Sequence, residues 1–224
     1  MSFLSQAREV ARVDLKVESR FGETIRVILP FAVVSLIVFP LALGPRLALI
    51  SSVGLAVFWA LGILFGMQIA LRQSANDSDA RRDLYALVGV DPAARFVGRT
   101  ISGVLLMFGF LVVLFLAMVV LYNPELPPGW VGPGMLGAVL FTIALSELAT
   151  LAGEVASGLR NRTALASLIV APLSLPMVIG ASQTLASISR GTGILSPILL
   201  LTSTAMALTV VGIAVARPLE ESRR

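Results

Sequence analysis

Six apolar stretches, each 17 to 25 residues long, fill more than half of this 224-residue chain. They lie at 27–43, 47–71, 101–121, 135–159, 164–187 and 194–216. About 20 apolar residues in a helix cover the roughly 30 Å of hydrocarbon in a bilayer. Backbone amides inside lipid find no water, so such stretches must be helices or strands of a closed barrel, and stretches this long and continuous are helices. Hydrophobic residues make up 57% of the chain and mean hydropathy is +0.93, well above an ordinary globular domain. What remains is too short for a separate catalytic domain. The expected fold class is an all-α integral membrane protein with six transmembrane helices, forming one membrane domain over 1–224.

The basic residues orient these helices. Five precede the first stretch (Arg8, Arg12, Lys16, Arg20, Arg26) and five lie between the second and third (Arg72, Arg81, Arg82, Arg95, Arg99). Arg160 and Arg162 separate the fourth and fifth, and Arg217, Arg223 and Arg224 follow the sixth. Only Arg46 and Arg190 occupy the alternate connections. Cytoplasmic loops retain Lys and Arg, so both termini and two loops are expected inside. Positive-inside retention accounts for nearly all of the basic residues behind the pI of about 10.6, which argues against a nucleic-acid partner. No small-residue cleavage pattern follows the first stretch, so it reads as an anchor and not a cleaved signal.

Residue inventory removes several chemistries. There is no His and no Cys, and Lys16 is the only lysine. Ser–His and Cys–His nucleophilic pairs, the usual zinc sites and ordinary haem ligation are therefore excluded. Lys16 follows Leu15, so no Gly-Lys pair is present to cradle ATP phosphates. No catalytic residue, metal site or cofactor bound by this chain is expected.

Between the spans, two segments have structure of their own. Residues 3–21 place Phe3, Ala7, Val10, Val17 and Phe21 at helical spacing, with charges on other faces, which suggests an interfacial helix at the cytoplasmic headgroups. A solvated helix with a few buried anchors is the alternative. In the 72–100 connection, Ser78 suits the cap of a short helix ending at Val88, and Gly89 suits the residue after it. Asp91-Pro92 then reads as the N-cap and first position of a cytoplasmic extension of the third span. Leu84, Tyr85, Leu87 and Val88 give the short helix an apolar patch beside Arg81, Arg82 and Asp83. Too short to be stable alone, it needs a partner, either another protein or the underside of its own bundle.

Within the spans, Glu147 and Glu154 stand seven residues apart on the fourth, close to one helix face. A charge at mid-bilayer is costly, so both should face protein or water, as a polar lining for a substrate or as paired structural groups. Glu154 has Arg160 and Arg162 within reach for such pairing. Pro172 and Pro176 should kink the fifth span. Gly62 and Gly66, with Ala149, Gly153 and Ser157, permit close helix approach, within one subunit or across a dimer. The Pro-rich 123–134 connection is stiff, and Trp130 suits the membrane–water interface.

These residues together resemble the heme exporter protein B (CcmB) family over nearly the whole chain. The resemblance rests on Asp14-Leu-Lys-Val-Glu18-Ser-Arg20, Phe39-Pro40-Leu-Ala-Leu-Gly44-Pro45, Phe58-Trp59 with Gln68, Asp91-Pro92 with Gly98-Arg99, and Pro172-Leu-Ser-Leu-Pro176. It implies an ABC-2-type permease fold, paired into a homodimer in the bacterial inner membrane and driven by a separate cytoplasmic ABC ATPase that holds the ATP. It further implies that the 78–88 helix couples to that ATPase, and that a haem-handling membrane protein of cytochrome c maturation is a partner. The chain departs from the family's more acidic loop with Asp79-Ala-Arg81-Arg82-Asp83, so the docking position carries over and its individual contacts do not. The expected function is export of haem, or ATP-powered release of haem to a chaperone. An ABC-2 exporter of a lipid, glycan or drug and a non-transporting assembly scaffold are the alternatives.

Overall fold

The computed structural model describes residues 2–22, 24–44, 47–75, 79–156 and 162–221. They form nine α-helices and one π-helical turn, and no strand occurs among them. In chain order these are α1 (Phe3–Phe21), the π turn (Thr24–Ile28), α2 (Leu29–Leu43), α3 (Leu47–Ala75), α4 (Asp79–Val88) and α5 (Pro92–Tyr122). Then follow α6 (Val131–Val155), α7 (Arg162–Leu173), α8 (Leu175–Ser189) and α9 (Leu195–Glu221).

Five segments are helical, long and apolar enough to cross a membrane: Arg26–Leu43, Ile50–Gln73, Pro92–Tyr122, Val131–Val155 and Leu195–Pro218. They correspond to five of the six expected stretches. The remaining one, 164–187, is two half-helices, α7 and α8, meeting at Ser174. Pro172 and Pro176 flank the break and lack the amide hydrogens that would bond to the carbonyls of Leu168 and Pro172. The Ser174 hydroxyl donates to the Ala171 carbonyl at 2.8 Å, meeting part of the need left at the end of α7.

Helices α5 and α6 form the spine. Helix α2 packs against α3 and α5, helices α7, α8 and α9 pack against α6, and α3 also touches α7 and α8. The interior between them is filled by Met107, Leu114, Met118, Phe141 and Leu145, all essentially without exposed surface. Gly62 and Gly66 are used within the subunit: a Cβ there would stand 3.0 Å from Leu111 Cδ2 and 3.1 Å from Met107 Cε. Small residues at these points allow α3 to approach α5 closely.

With 31 residues, α5 is roughly 47 Å long at 1.5 Å per residue, well over the hydrocarbon thickness. Its excess lies at the N-terminal end. There Asp91 is in an extended conformation and its side chain accepts the Ala93 amide at 2.9 Å, a true N-cap ahead of Pro92. Helix α1 lies across this extension. Its Ala7, Val10 and Ala11 are buried, so much of the apolar stripe read as membrane-facing is covered by protein, while Phe3 and Leu4 stay exposed. The crossing is tightest at Gly98, where a Cβ would meet the Ala7 carbonyl oxygen at 2.5 Å and Val10 Cβ at 2.7 Å.

At the opposite end, a side-chain hydrogen bond joins α2 and α5. Pro40 sits inside α2 and cannot donate to the carbonyl of Leu36 four residues earlier. The buried Tyr122 hydroxyl donates to that carbonyl at 2.8 Å instead. The proline and the tyrosine therefore form one device.

Two substitutions test this architecture. Tyr122→Phe leaves the Leu36 carbonyl without its donor in an apolar interior, a loss of about 1–3 kcal/mol, read as a lowered midpoint for thermal unfolding in detergent. Gly98→Val forces α1 off α5, and faster hydrogen exchange over residues 3–21 is the expected sign, with the exchange of α6 unchanged.

Candidate functional site

The arginine-rich end of the bundle holds a cluster of polar side chains from α1, α3, α4, α5 and α6. It starts at α4, a ten-residue helix closed at its C-terminus by Gly89 at φ 76°. The Val90 amide donates to the Tyr85 carbonyl and the Gly89 amide to the Ala86 carbonyl, at 3.0 and 3.1 Å, which satisfies carbonyls of the last turn. Ser78, expected to cap its start, lies outside the described residues, as does the side chain of Arg82.

Leu84, Leu87 and Val88 are 57%, 85% and 70% exposed, so the apolar patch of α4 is not folded under the bundle. Tyr85 is half-buried and faces inward. Its hydroxyl accepts from Arg81, whose guanidinium carbon lies 5.6 Å from the centre of the tyrosine ring. The same Arg81 reaches across to Asp14 of α1 at 2.5 Å. Burial alone would lower the Arg81 pKa, but the Asp14 carboxylate and the Tyr85 hydroxyl outweigh it and the guanidinium pKa is raised.

Asp14 serves two helices. Its second carboxylate oxygen lies 3.3 Å from the Ser102 hydroxyl of α5, whose one proton it shares with the nearer Arg99 carbonyl at 2.9 Å. Ser102 in turn accepts from the Gln73 side chain of α3 at 3.3 Å, and Arg99 of α5 donates to the Gln73 carbonyl at 2.7 Å. Arg99 and Arg95 both lie 3.5 Å from Glu154 of α6. All three of these charged groups are less than a tenth exposed. Ser146, also on α6, donates to the Thr100 carbonyl at 3.1 Å. Elsewhere on α1, Gln6 accepts the Asp91 amide at 2.9 Å, and Asp91 is bound by Arg217 of α9 at 2.7 Å. That Arg217 bond holds the Asp91 carboxyl below its ordinary range.

Glu147 and Glu154 are both buried on α6, but they do different things. Glu154 forms ion pairs with Arg95 and Arg99 of α5, whereas Arg160 and the Arg162 side chain, its expected partners, lie outside the described residues. Glu147 accepts the Thr209 hydroxyl of α9 at 2.5 Å, and its other oxygen has no hydrogen-bond partner among the described residues. The kink residues Pro172 and Pro176 sit in the half-helix pair, away from this cluster in the chain and on other elements.

Two cavities lie toward the other end. One of about 120 Å³ is lined by apolar and aromatic side chains including Phe58, Trp59, Phe115 and Trp130. Trp59 in its wall meets Phe58 and the buried Phe141 edge-on at 5.0 and 5.3 Å between ring centres. A wider cleft of about 570 Å³ opens among Ser51, Ser52, Glu125, Ser189 and Arg190.

Sequence reasoning missed Asp14, Gln73, Arg95, Arg99 and Ser102 as members of one site. Arg95 and Arg99 were counted as retention charges. The signal available was their spacing: 95, 99 and 102 fall on one face of a helix, near the start of the third span.

The positions that carried the family resemblance recur in these contacts. Asp14 takes Arg81 and Ser102, and Glu18 accepts the Thr24 amide at 2.7 Å where the chain turns from α1 toward α2. Asp91 caps α5, Gly98 admits α1, and Arg99 pairs with Glu154. No curated protein matches the chain. The family model described as CcmB protein matches residues 5–222. The chain belongs to the CcmB family, heme exporter protein B, an integral inner-membrane component of heme export for cytochrome c maturation.

Proposed function

We propose that this chain is the permease subunit of an ATP-driven complex that exports haem, or powers its release to a chaperone, for c-type cytochrome assembly. The fold is of the ABC-2 type with six spans, the broken α7–α8 pair counted as one, and both termini are cytoplasmic. The exposed apolar face of α4 is the observation that carries this proposal. Leucines and valine left in water at the arginine-rich end, on a helix capped at Gly89 and held by Arg81, fit a surface shaped for another protein. A cytoplasmic ABC ATPase fits the partner, because this sequence has no Gly-Lys pair for phosphates. Two copies pair as a homodimer over two ATPase subunits.

In this mechanism ATP-driven closure of the ATPase pulls on Leu84, Leu87 and Val88, and α4 shifts the spans joined to it. Ser174, between Pro172 and Pro176, is the hinge of the α7–α8 span, and Glu147 presents a polar group between α6 and α9. Without histidine or cysteine, the chain leaves haem ligation to the haem-handling membrane protein of the complex.

Replacing Leu84 and Leu87 with Asp tests the docking surface. Purified in mild detergent, the double variant should retain its place in the membrane fraction and lose about tenfold or more of the co-purifying ATPase, a loss of about 1.4 kcal/mol in affinity. Retention of the ATPase at the level of the unaltered chain rejects α4 as the docking helix. Deleting the chain with c-type cytochromes left intact rejects the haem pathway.

A further inference from the structure

Among the described residues, α4 is tied to α1 by the ion pair of Arg81 with Asp14. Asp14 is on α1, not on a span. Its two oxygens point to different helices, one to Arg81 of α4 and one to Ser102 of α5. From Ser102 the contacts run through Gln73 to Arg99, and from Arg99 to Glu154 at the C-terminal end of α6. We infer that Asp14 is the positioning residue through which displacement of α4 is passed to the α5–α6 spine, so that α1 acts as a transmission strut and not only as an anchor.

Three observations support it. The Arg81–Asp14 bond is charge-assisted and its side chains are only 21% and 13% exposed. Moving α4 away would leave Asp14 half-buried beside Ser102 with its charge unmet, so α4 and α1 travel together. Helix α1 cannot slide freely over α5 in its turn, because the Ala7 carbonyl is seated directly on Gly98. A pull on α4 thus reaches α5 and, through Arg99 and Glu154, reaches α6.

This inference rests on the docking of an ATPase at α4, and its test separates the two. Asp14→Asn keeps the shape and removes the charge; Arg81→Gln does the same for its partner. Each variant is co-expressed with the whole maturation complex, and three quantities are read: ATPase retained on purification, ATP hydrolysed, and c-type cytochrome matured per ATP. The expected result for either variant is normal ATPase retention and hydrolysis with cytochrome per ATP lowered about fivefold or more, the range of an ordinary coupling free energy. The double variant should be no worse than the worse single, because both remove one interaction. A fold defect lowers the amount of complex but leaves cytochrome per ATP unchanged, and that outcome overturns the inference. So does loss of the ATPase in Asp14→Asn, which would make Asp14 part of docking alone, and so does full additivity in the double variant. If the Leu84 and Leu87 replacements leave the ATPase bound, the docking proposal fails first, whatever Asp14 does.

Discussion

Glu154 meets Arg95 and Arg99 at the boundary where α5 and α6 enter the apolar part of the bundle, and much of the molecule is arranged around that meeting. None of the three can be left alone there, since an unpaired charge removed from water costs several kcal/mol. Satisfying them sets the rotation of α5 against α6. With that rotation set, Arg99 reaches the Gln73 carbonyl and Ser102 turns to Asp14, so α3 and α1 are placed as well. The arrangement is demanding at one position above all: removing Glu154 takes from both arginines the carboxylate they share.

The division of labour between the ends of the bundle follows from solvent. At the arginine-rich end, where α5 outruns the hydrocarbon, helices are joined by carboxylates, amides and guanidinium groups. At the other end they are joined by aromatic rings and by the Tyr122 hydroxyl on the Leu36 carbonyl. A polar joint can be re-formed in a new position with water as an intermediary, whereas interlocked rings resist displacement. Movement is easier to accommodate at the first end than at the second.

Length and hydropathy made the helical spans legible, and cap chemistry made several helix limits legible. Phe3–Phe21 and the start at Pro92 were readable because periodicity and the Asp-Pro pair are local signals. The polar cluster was not. Asp14 and Arg81 are 67 positions apart and Arg99 and Glu154 are 55 apart, and nothing local to either member announces its partner. Charge counting even worked against finding them, because a retention signal already explained Arg95 and Arg99. The unmet carbonyl of Leu36 shows the same limit: Pro40 declares that a donor is needed, but not that it lies 86 residues away on α5.

The break at Ser174 has a consequence for tilt. Bending an intact helix stretches backbone hydrogen bonds on one side, and the bonds resist as a spring does. Between α7 and α8 the prolines have removed two such bonds, while the Ser174 hydroxyl and amide bond to the Ala171 and Val170 carbonyls and travel with α7. The two halves therefore meet less elastic resistance to a change of angle than an unbroken helix would, and the packing of α8 against α6 and α9 does more to orient it than the chain that leads into it.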